Sequence, residues 1–315
     1  MTDARFESGA PAYAAYLQTV EGRLRLDIAW ENFLSAIEQA RDARPERDAP
    51  GATHQREDAP DATHQRETTS TAATEEERAR DTEARHDRDA EAGRDRAQDS
   101  GRALDLGGGT GALALRFAAL GWRVSVVDPS ATMLAIAADA ARAATLGARV
   151  TFHQSVAENA QELFAPRTFD AATCHNVLEY VSDPRACLRA LAALVKPGGI
   201  VSLVARNRAG EAMRAVLKAH DLDEAEHALT AEHVNESLYG GPARLYDAHS
   251  LGELATGAGL RVIATRGVRV VADYLPATLS GSPEAYARLL SFERTLGARP
   301  EFAAVARYTQ IIARG

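Results

Sequence analysis

Between residues 101 and 204, short apolar runs alternate with longer segments whose apolar positions recur every three or four residues. The runs Ala103–Leu106, Arg123–Val127, Val150–His153, Phe169–Cys174 and Ile200–Val204 read as strands, mostly apolar throughout, as expected of strands covered on both faces. The intervening segments, about 110–120, 130–146 and 184–195, read as helices, with Ser130 as the cap of the second. Lys196-Pro-Gly-Gly199 breaks the third helix and starts the fifth strand. Strands separated by helices predict an α/β fold with a parallel sheet, and such sheets bind ligands at the carboxyl ends of their strands.

Outside this block, Phe6, Tyr13, Tyr16 and Leu17, followed by Leu24, Ile28, Phe33, Leu34 and Ile37, predict helix packed on the domain and covering a ligand pocket. Toward the C-terminus, 251–257 reads as a helix, 260–270 as a long strand, 286–296 as a helix and 304–313 as a last strand. The stretch from Arg206 to His249 is polar and gives no clear period.

The pattern lapses from Asp42 to Ser100. Aliphatic and aromatic residues almost vanish, and Asp48–Glu57 (DAPGATHQRE) is repeated nearly letter for letter as Asp58–Glu67 (DAPDATHQRE). So little apolar surface cannot offset the entropy of ordering, so 42–100 is expected to be a disordered, low-complexity acidic insertion. His54 and His64 lie in the two repeats with no other ligands nearby, and duplication explains them better than a metal site. The insertion carries 10 Lys/Arg and 17 Asp/Glu, a deficit of seven within a formal net charge of −8. The remainder is nearly neutral, so charge neither argues for nor excludes a nucleic-acid partner.

Two cysteines, Cys174 and Cys187, fall in regular structure and read as reduced core thiols rather than a disulfide or metal framework. No basic segment followed by an apolar core opens the chain, and no apolar run is long enough to span a bilayer, so the expected setting is cytoplasmic.

The chemistry concentrates at Leu104-Asp-Leu-Gly-Gly-Gly-Thr-Gly111. Glycines where a strand turns into a helix let the backbone approach a ligand, and the helix N-terminus adds partial positive charge. Asp128, about twenty residues on, ends the next strand where a carboxylate can accept from both hydroxyls of a ribose. Dinucleotide enzymes and methyltransferases share these features. Asp105, with glycines at 107, 109 and 111, resembles the S-adenosylmethionine turn of class I methyltransferases.

A narrower resemblance lies in Glu21-Gly-Arg-Leu-Arg25, the glycine turn, His175-Asn-Val-Leu-Glu-Tyr-Val-Ser-Asp-Pro184, Leu194-Val-Lys-Pro-Gly-Gly199 and Gly267-Val-Arg-Val-Val-Ala-Asp-Tyr-Leu275. Together these resemble the bacterial tRNA 5-carboxymethoxyuridine methyltransferases over most of the chain outside the insertion. The resemblance implies a class I methyltransferase (Rossmann-like) fold, with a mostly parallel seven-stranded sheet, an antiparallel last strand and helices on both faces. It also implies three segments: 1–41 as a helical cover, 42–100 as the insertion and 101–315 as the methyltransferase domain.

By the same resemblance the cofactor is S-adenosylmethionine. Arg25 contacts its methionine carboxylate over Gly107 and Gly108, Asp128 holds the ribose, Ala157 and Glu158 border the adenine, and His175 lies near the sulfonium. Without the resemblance, Arg25 reads as a solvated helical arginine, and His175 is as readily structural. The acceptor is the carboxylate of the modified wobble uridine of tRNA, which becomes a methyl ester. Arg206, Arg269 and Tyr274 are the candidates for orienting it, and no catalytic base is assigned. Two other readings stay open: a small-molecule methyltransferase for a carboxylate or quinone precursor, and a non-catalytic S-adenosylmethionine-binding protein. The oligomeric state is left open.

Overall fold

A computed structural model describes residues 4–42, 100–236 and 238–315. Almost all of the expected insertion, with its repeats, His54 and His64, lies outside the described residues. The N-terminal helices and the chain from Ser100 onward form one compact unit.

The alternating block builds β1 (Arg102–Leu106), α3 (Ala112–Ala119), β2 (Arg123–Asp128), α4 (Ala131–Ala143), β3 (Val150–Gln154), β4 (Phe169–His175), α5 (Pro184–Leu194) and β5 (Val195–Arg206). Two helices precede it, α1 (Ala4–Tyr16) and α2 (Val20–Asp42). The closing pair is β8 (Arg261–Val268) and β9 (Tyr308–Arg314). The sheet runs β3-β2-β1-β4-β5-β9-β8, with β9 antiparallel to both of its neighbours and the rest parallel. That is the order of direction implied by the family resemblance.

Strands β1 and β2 are buried from their second residue to their last, which is why their apolar runs do not alternate. On one face α2 sets Phe33 and Ile37 against Phe117 and Trp122, with Trp30 and Phe117 edge to face at 4.9 Å. On the other, Leu188, Leu191 and Leu194 of α5 pack over Leu104, Cys174 and Leu203. Cys174 and Cys187 are buried there and unbridged. Ser130 caps α4 by accepting from the Met133 N–H at 3.1 Å, and Asp183 caps α5 by accepting from Ala186 at 2.9 Å. No helix among the described residues is long and apolar enough to cross a membrane.

The polar stretch after β5 is folded. It forms α6 (Arg208–Arg214), a π turn (Ala215–Ala219), α7 (Leu222–Thr230) and a small hairpin of β6 (His233–Asn235) and β7 (Pro242–Arg244), before α8 (Ala248–Gly257) returns to the sheet. Short elements packed mainly on one another leave a weak periodic signal, which is why the sequence pattern missed them. Two strand limits also differ from expectation. Strand β8 stops at Val268 because Arg269 takes φ 61°, and β9 starts at Tyr308 because α10 (Pro300–Ala303) and a turn occupy the residues before it. Between β8 and β9, Glu293 of α9 (Pro283–Gly297) is fully buried. Its carboxylate accepts from the N–H groups of Val270, Val271 and Ala272 at 2.6, 2.9 and 2.6 Å, fixing the turn that carries Arg269.

Candidate functional site

The carboxyl ends of β1, β2, β4 and β5 open into one cavity of about 920 Å³, near the top of the range of about 300–1,000 Å³ usual for small-molecule sites. It has room for two ligands side by side. Helix α1 lies along it, with Phe6, Tyr13 and Tyr16 on the wall and only Ala10 of its own residues buried. It is tied down at three points. Glu7 accepts from Ala131 and Thr132 at the start of α4 (2.9 and 3.1 Å), Arg5 donates to the Gly240 carbonyl (2.7 Å), and Phe6 meets Tyr180 and Tyr239 edge-on at 5.3 and 5.0 Å.

At the first end of the cavity, Gly107 and Gly108 both donate to the Val127 carbonyl, at 2.7 and 3.3 Å, folding the glycine turn back onto β2. Asp128 accepts from the Gly109 N–H on one oxygen and from the Ser130 N–H on the other, each at 2.9 Å, and both oxygens keep a lone pair. Burial raises the pKa of Asp128 against the pull of the Ser130 and Gly109 amides. Gly107 has φ 68°, and a Cβ there would lie 2.2 Å from Cγ2 of Val177. Gly107→Ala is therefore expected to combine left-handed strain of about 1–3 kcal/mol with displacement of Val177 from the cavity wall. Thermal melting should show the destabilisation.

Arg25 is 6% exposed, so the solvated reading is wrong: α2 turns it inward beneath α1. It donates to the Asn176 side-chain oxygen and, at 2.8 Å, to the Tyr13 hydroxyl, while its Nε has no partner among the described residues. Asp105, behind the glycines, accepts from the Thr173 hydroxyl at 2.7 Å through Oδ1, and its other oxygen is unpartnered. Each of these two buried atoms without a partner costs about 1–3 kcal/mol, and Asp105 itself lies behind the turn, off the cavity wall.

Burial pushes the Asp105 carboxyl up to about 6, above its unfolded value near 3.8. The proton is thus held more tightly in the folded state. The stabilising effect is full below about pH 4 and is lost as pH rises through 6, an effect on the order of 3 kcal/mol. Asp105→Asn without ligand should be more stable than the parent at pH 7 and should lack this loss between pH 4 and 7, as read from urea midpoints.

His175, at the end of β4, has its Nε2 2.7 Å from the Ser202 hydroxyl. Gln310 donates to the same hydroxyl at 2.9 Å, and Ser202 either donates to Nε2 or accepts from it according to the imidazole tautomer. Burial and the neighbouring Arg25 push His175 down to about 3, so it is neutral at physiological pH. Ala157 and Glu158 lie in a 3-10 turn (Ala157–Glu162) on the cavity wall, with Glu158 fixed by the Ser182 N–H and hydroxyl at 3.1 and 2.9 Å.

At the second end, three adjacent strands bring arginines to one row. Arg206 ends β5 opposite Tyr308, the first residue of β9. Val268, just before Arg269, pairs with Tyr308 from the other side, and Arg307 precedes it. Arg206, Arg269, Arg307 and Tyr308 all line the cavity. Neither Arg206 nor Arg269 is free. Arg206 reaches Glu211 and Glu236, both at 3.2 Å, with Nε unpartnered. Arg269 pairs with Asp273 and donates to the Tyr16 hydroxyl at 2.9 Å. Burial raises the Glu211 carboxyl, but Arg307 and Arg206 outweigh it and bring it to about 2. Burial likewise opposes ionisation of the Tyr308 phenol, yet Arg269, Arg206, Arg307 and Arg25 pull it below its ordinary value. The three arginines of this end are interleaved with three carboxylates, Glu211, Glu236 and Asp273, so positive charge lies nearest Tyr308 while the cluster as a whole is balanced.

Two sequence candidates are not brought to the cavity wall: Gly108, where a Cβ would meet Asp105 and Val126 behind the turn, and Tyr274. Tyr274 closes a 3-10 turn (Ala272–Tyr274) whose Asp273 faces inward instead. Tyr308, Arg307, Asn176 and Tyr239 were missed. A strand that runs backwards brings its beginning, not its end, to the ligand edge, and that rule applied to the last strand points to Tyr308.

A family model described as a methyltransferase domain matches residues 76–265. The tRNA 5-carboxymethoxyuridine methyltransferase of Escherichia coli (strain K12) is 30% identical over 217 residues, 68% of this chain and 79% of that protein. This chain belongs to the methyltransferase domain family. It is a class I methyltransferase that uses S-adenosylmethionine. The ubiquinone biosynthesis O-methyltransferase of Xanthomonas campestris pv. campestris (strain B100) is 38% identical over 109 residues, 34% of this chain and 44% of that one. Among solved structures, an S-adenosylmethionine-dependent methyltransferase from Mesorhizobium loti is similar with a TM-score of 0.48 at 18% identity, covering 69% of this chain and 92% of that one.

Proposed function

We propose that this methyltransferase esterifies a carboxylate held at the Arg206–Tyr308 end of the cavity, and that its acceptor is the 5-carboxymethoxyuridine of tRNA. The observation that carries the reading is the row of Arg206, Tyr308, Arg307 and Arg269, set in the same cavity as the glycine turn. Planar side chains of Tyr16, Tyr180 and Tyr239 on the wall suit a flat base, and a guanidinium holds one carboxylate oxygen while leaving the other free to attack.

In this reading Arg25 takes the cofactor's carboxylate and Gly107 and Gly108 form the floor beneath it. Asp128 takes the ribose hydroxyls, Ala157 and Glu158 border the adenine, and neutral His175 faces the sulfur without adding charge. Bound S-adenosylmethionine supplies an electrophilic methyl group on a sulfonium sulfur. A carboxylate is ionised at neutral pH and needs no general base. The chain's task is then alignment and exclusion of water, with α1 as the cover.

One observation favours a small carboxylic acid instead of tRNA: residues 208–232, which flank the second end, carry six acidic residues against three Lys/Arg, a poor match for a phosphate backbone. Methyl-labelled S-adenosylmethionine supplied with RNA from cells lacking the protein separates the two. Label in one tRNA nucleoside, released as methanol by mild alkali, supports the proposal. Label confined to low-mass acids supports the smaller acceptor, and alkali-stable label rules out the carboxylate.

A further inference from the structure

Asn176 follows His175 immediately and sits at φ 55°, a left-handed conformation that asparagine tolerates better than most side chains. Its backbone N–H still extends the β4–β5 ladder, donating to the Val204 carbonyl at 2.8 Å. Its side chain bridges two groups of opposite sign. Oδ1 accepts from Nη1 of Arg25, and Nδ2 donates at 2.9 Å to Oε1 of Glu179. The same Glu179 oxygen accepts from the backbone N–H of Arg206 at 2.8 Å.

The amide has one workable orientation. Flipped, its NH₂ would face a guanidinium and its oxygen a carboxylate, and both contacts would be lost. Glu179 is 4% exposed with its second oxygen unpartnered, so it has little freedom to follow a displaced partner. Among the described residues the Arg25 guanidinium donates to the Asn176 oxygen and the Tyr13 hydroxyl and lies over the rings of Tyr13, Tyr16 and Tyr308; Tyr13 and Tyr16 belong to α1, the cover. Asn176 thus supplies the hydrogen bond that holds Arg25 at the sheet's edge, beside the ring of Tyr308.

We infer that Asn176 is a positioning residue that aims Arg25 at the carboxylate of S-adenosylmethionine, and that Glu179 sets the amide's orientation from the acceptor side. The inference rests on the reading of Arg25 given above. Aspartate would not serve: its carboxylate would compete for Arg25 and face Glu179. Glycine would keep the backbone but remove the hydrogen bond to Nη1 of Arg25.

Calorimetry on the full chain with two probes tests this. S-adenosylhomocysteine carries the amino-acid end, and 5′-methylthioadenosine lacks it. Asn176→Gly is expected to weaken S-adenosylhomocysteine about 10-fold, the order of one hydrogen bond to a charged group, while 5′-methylthioadenosine stays within about twofold. Asn176→Asp, nearly the same shape, should show the same selective loss and decides the matter if the glycine variant does not fold. Equal weakening of both probes means a general structural role and overturns the inference, as does unchanged affinity for both. Arg25→Lys separates the two levels. If it leaves S-adenosylhomocysteine unaffected, the reading of Arg25 itself fails. If Arg25→Lys is selective and the Asn176 variants are not, only the positioning role fails.

Discussion

Asp128→Asn is expected to weaken S-adenosylhomocysteine and 5′-methylthioadenosine alike, by about 100-fold or more in calorimetry. Both Asp128 oxygens accept backbone N–H groups, from Gly109 and Ser130. An amide in that place points an NH₂ at one of those donors, so the glycine turn or the start of α4 must move. The same substitution removes charge from any bond to the ribose hydroxyls, and hydrogen bonds to charged groups are worth about 1.5–3 kcal/mol each. The two effects act on the same ligand and compound. Because both probes carry the ribose, their parallel loss distinguishes this site from the Arg25 end, where only the ligand with a carboxylate should respond. Unchanged affinity would place the sugar elsewhere.

The second large effect is expected at the other end of the cavity. Arg206→Lys should lower kcat/KM for the acceptor by about 100-fold while leaving S-adenosylhomocysteine affinity within about twofold. Arg206 is 8% exposed, and its planar fork spans Glu211 and Glu236 while the residue lines the cavity. Lysine keeps the charge but has one nitrogen, which cannot bridge both carboxylates and also hold an acceptor oxygen. Retaining the cation avoids stranding Glu211 and Glu236, whose loss of a buried partner would cost about 3–5 kcal/mol and confuse binding with folding. Initial rates against acceptor concentration, with calorimetry for the cofactor side, separate the two ends. A full-strength lysine variant would show that the acceptor is held by other groups.

The sheet was legible because β1, β2, β4 and β5 are buried on both faces, which prints continuous apolar runs, and because glycines and Lys-Pro-Gly-Gly punctuate them. The cofactor end was legible for a related reason. Gly107, Asp128, Glu158 and His175 each lie at or just past a strand end, so topology alone collects them. The acceptor end was only half legible. Arg206 ends β5 and Arg269 follows β8, so both could be named, but their carboxylate partners Glu211, Glu236 and Asp273 come from turns and short elements without period. Tyr274 is a sequence candidate because a tyrosine can stack on or hydrogen-bond a base, yet the short turn brings Asp273 to the cavity wall instead. Arg25 shows the limit of composition: one position on an amphipathic helix decides between water and core, and here the added cover of α1 closes over it.

The central claim is that a single cavity holds the cofactor at the glycine turn and an acceptor carboxylate at the row formed by β5, β9 and β8. A crystal structure of the full chain with S-adenosylhomocysteine tests it most directly. The account predicts the ribose hydroxyls within hydrogen-bond reach of Asp128, the amino-acid carboxylate on Arg25, and the sulfur turned toward Arg206 and Tyr308. A ligand whose sugar lies away from Asp128, or whose sulfur faces solvent rather than that row, would contradict it.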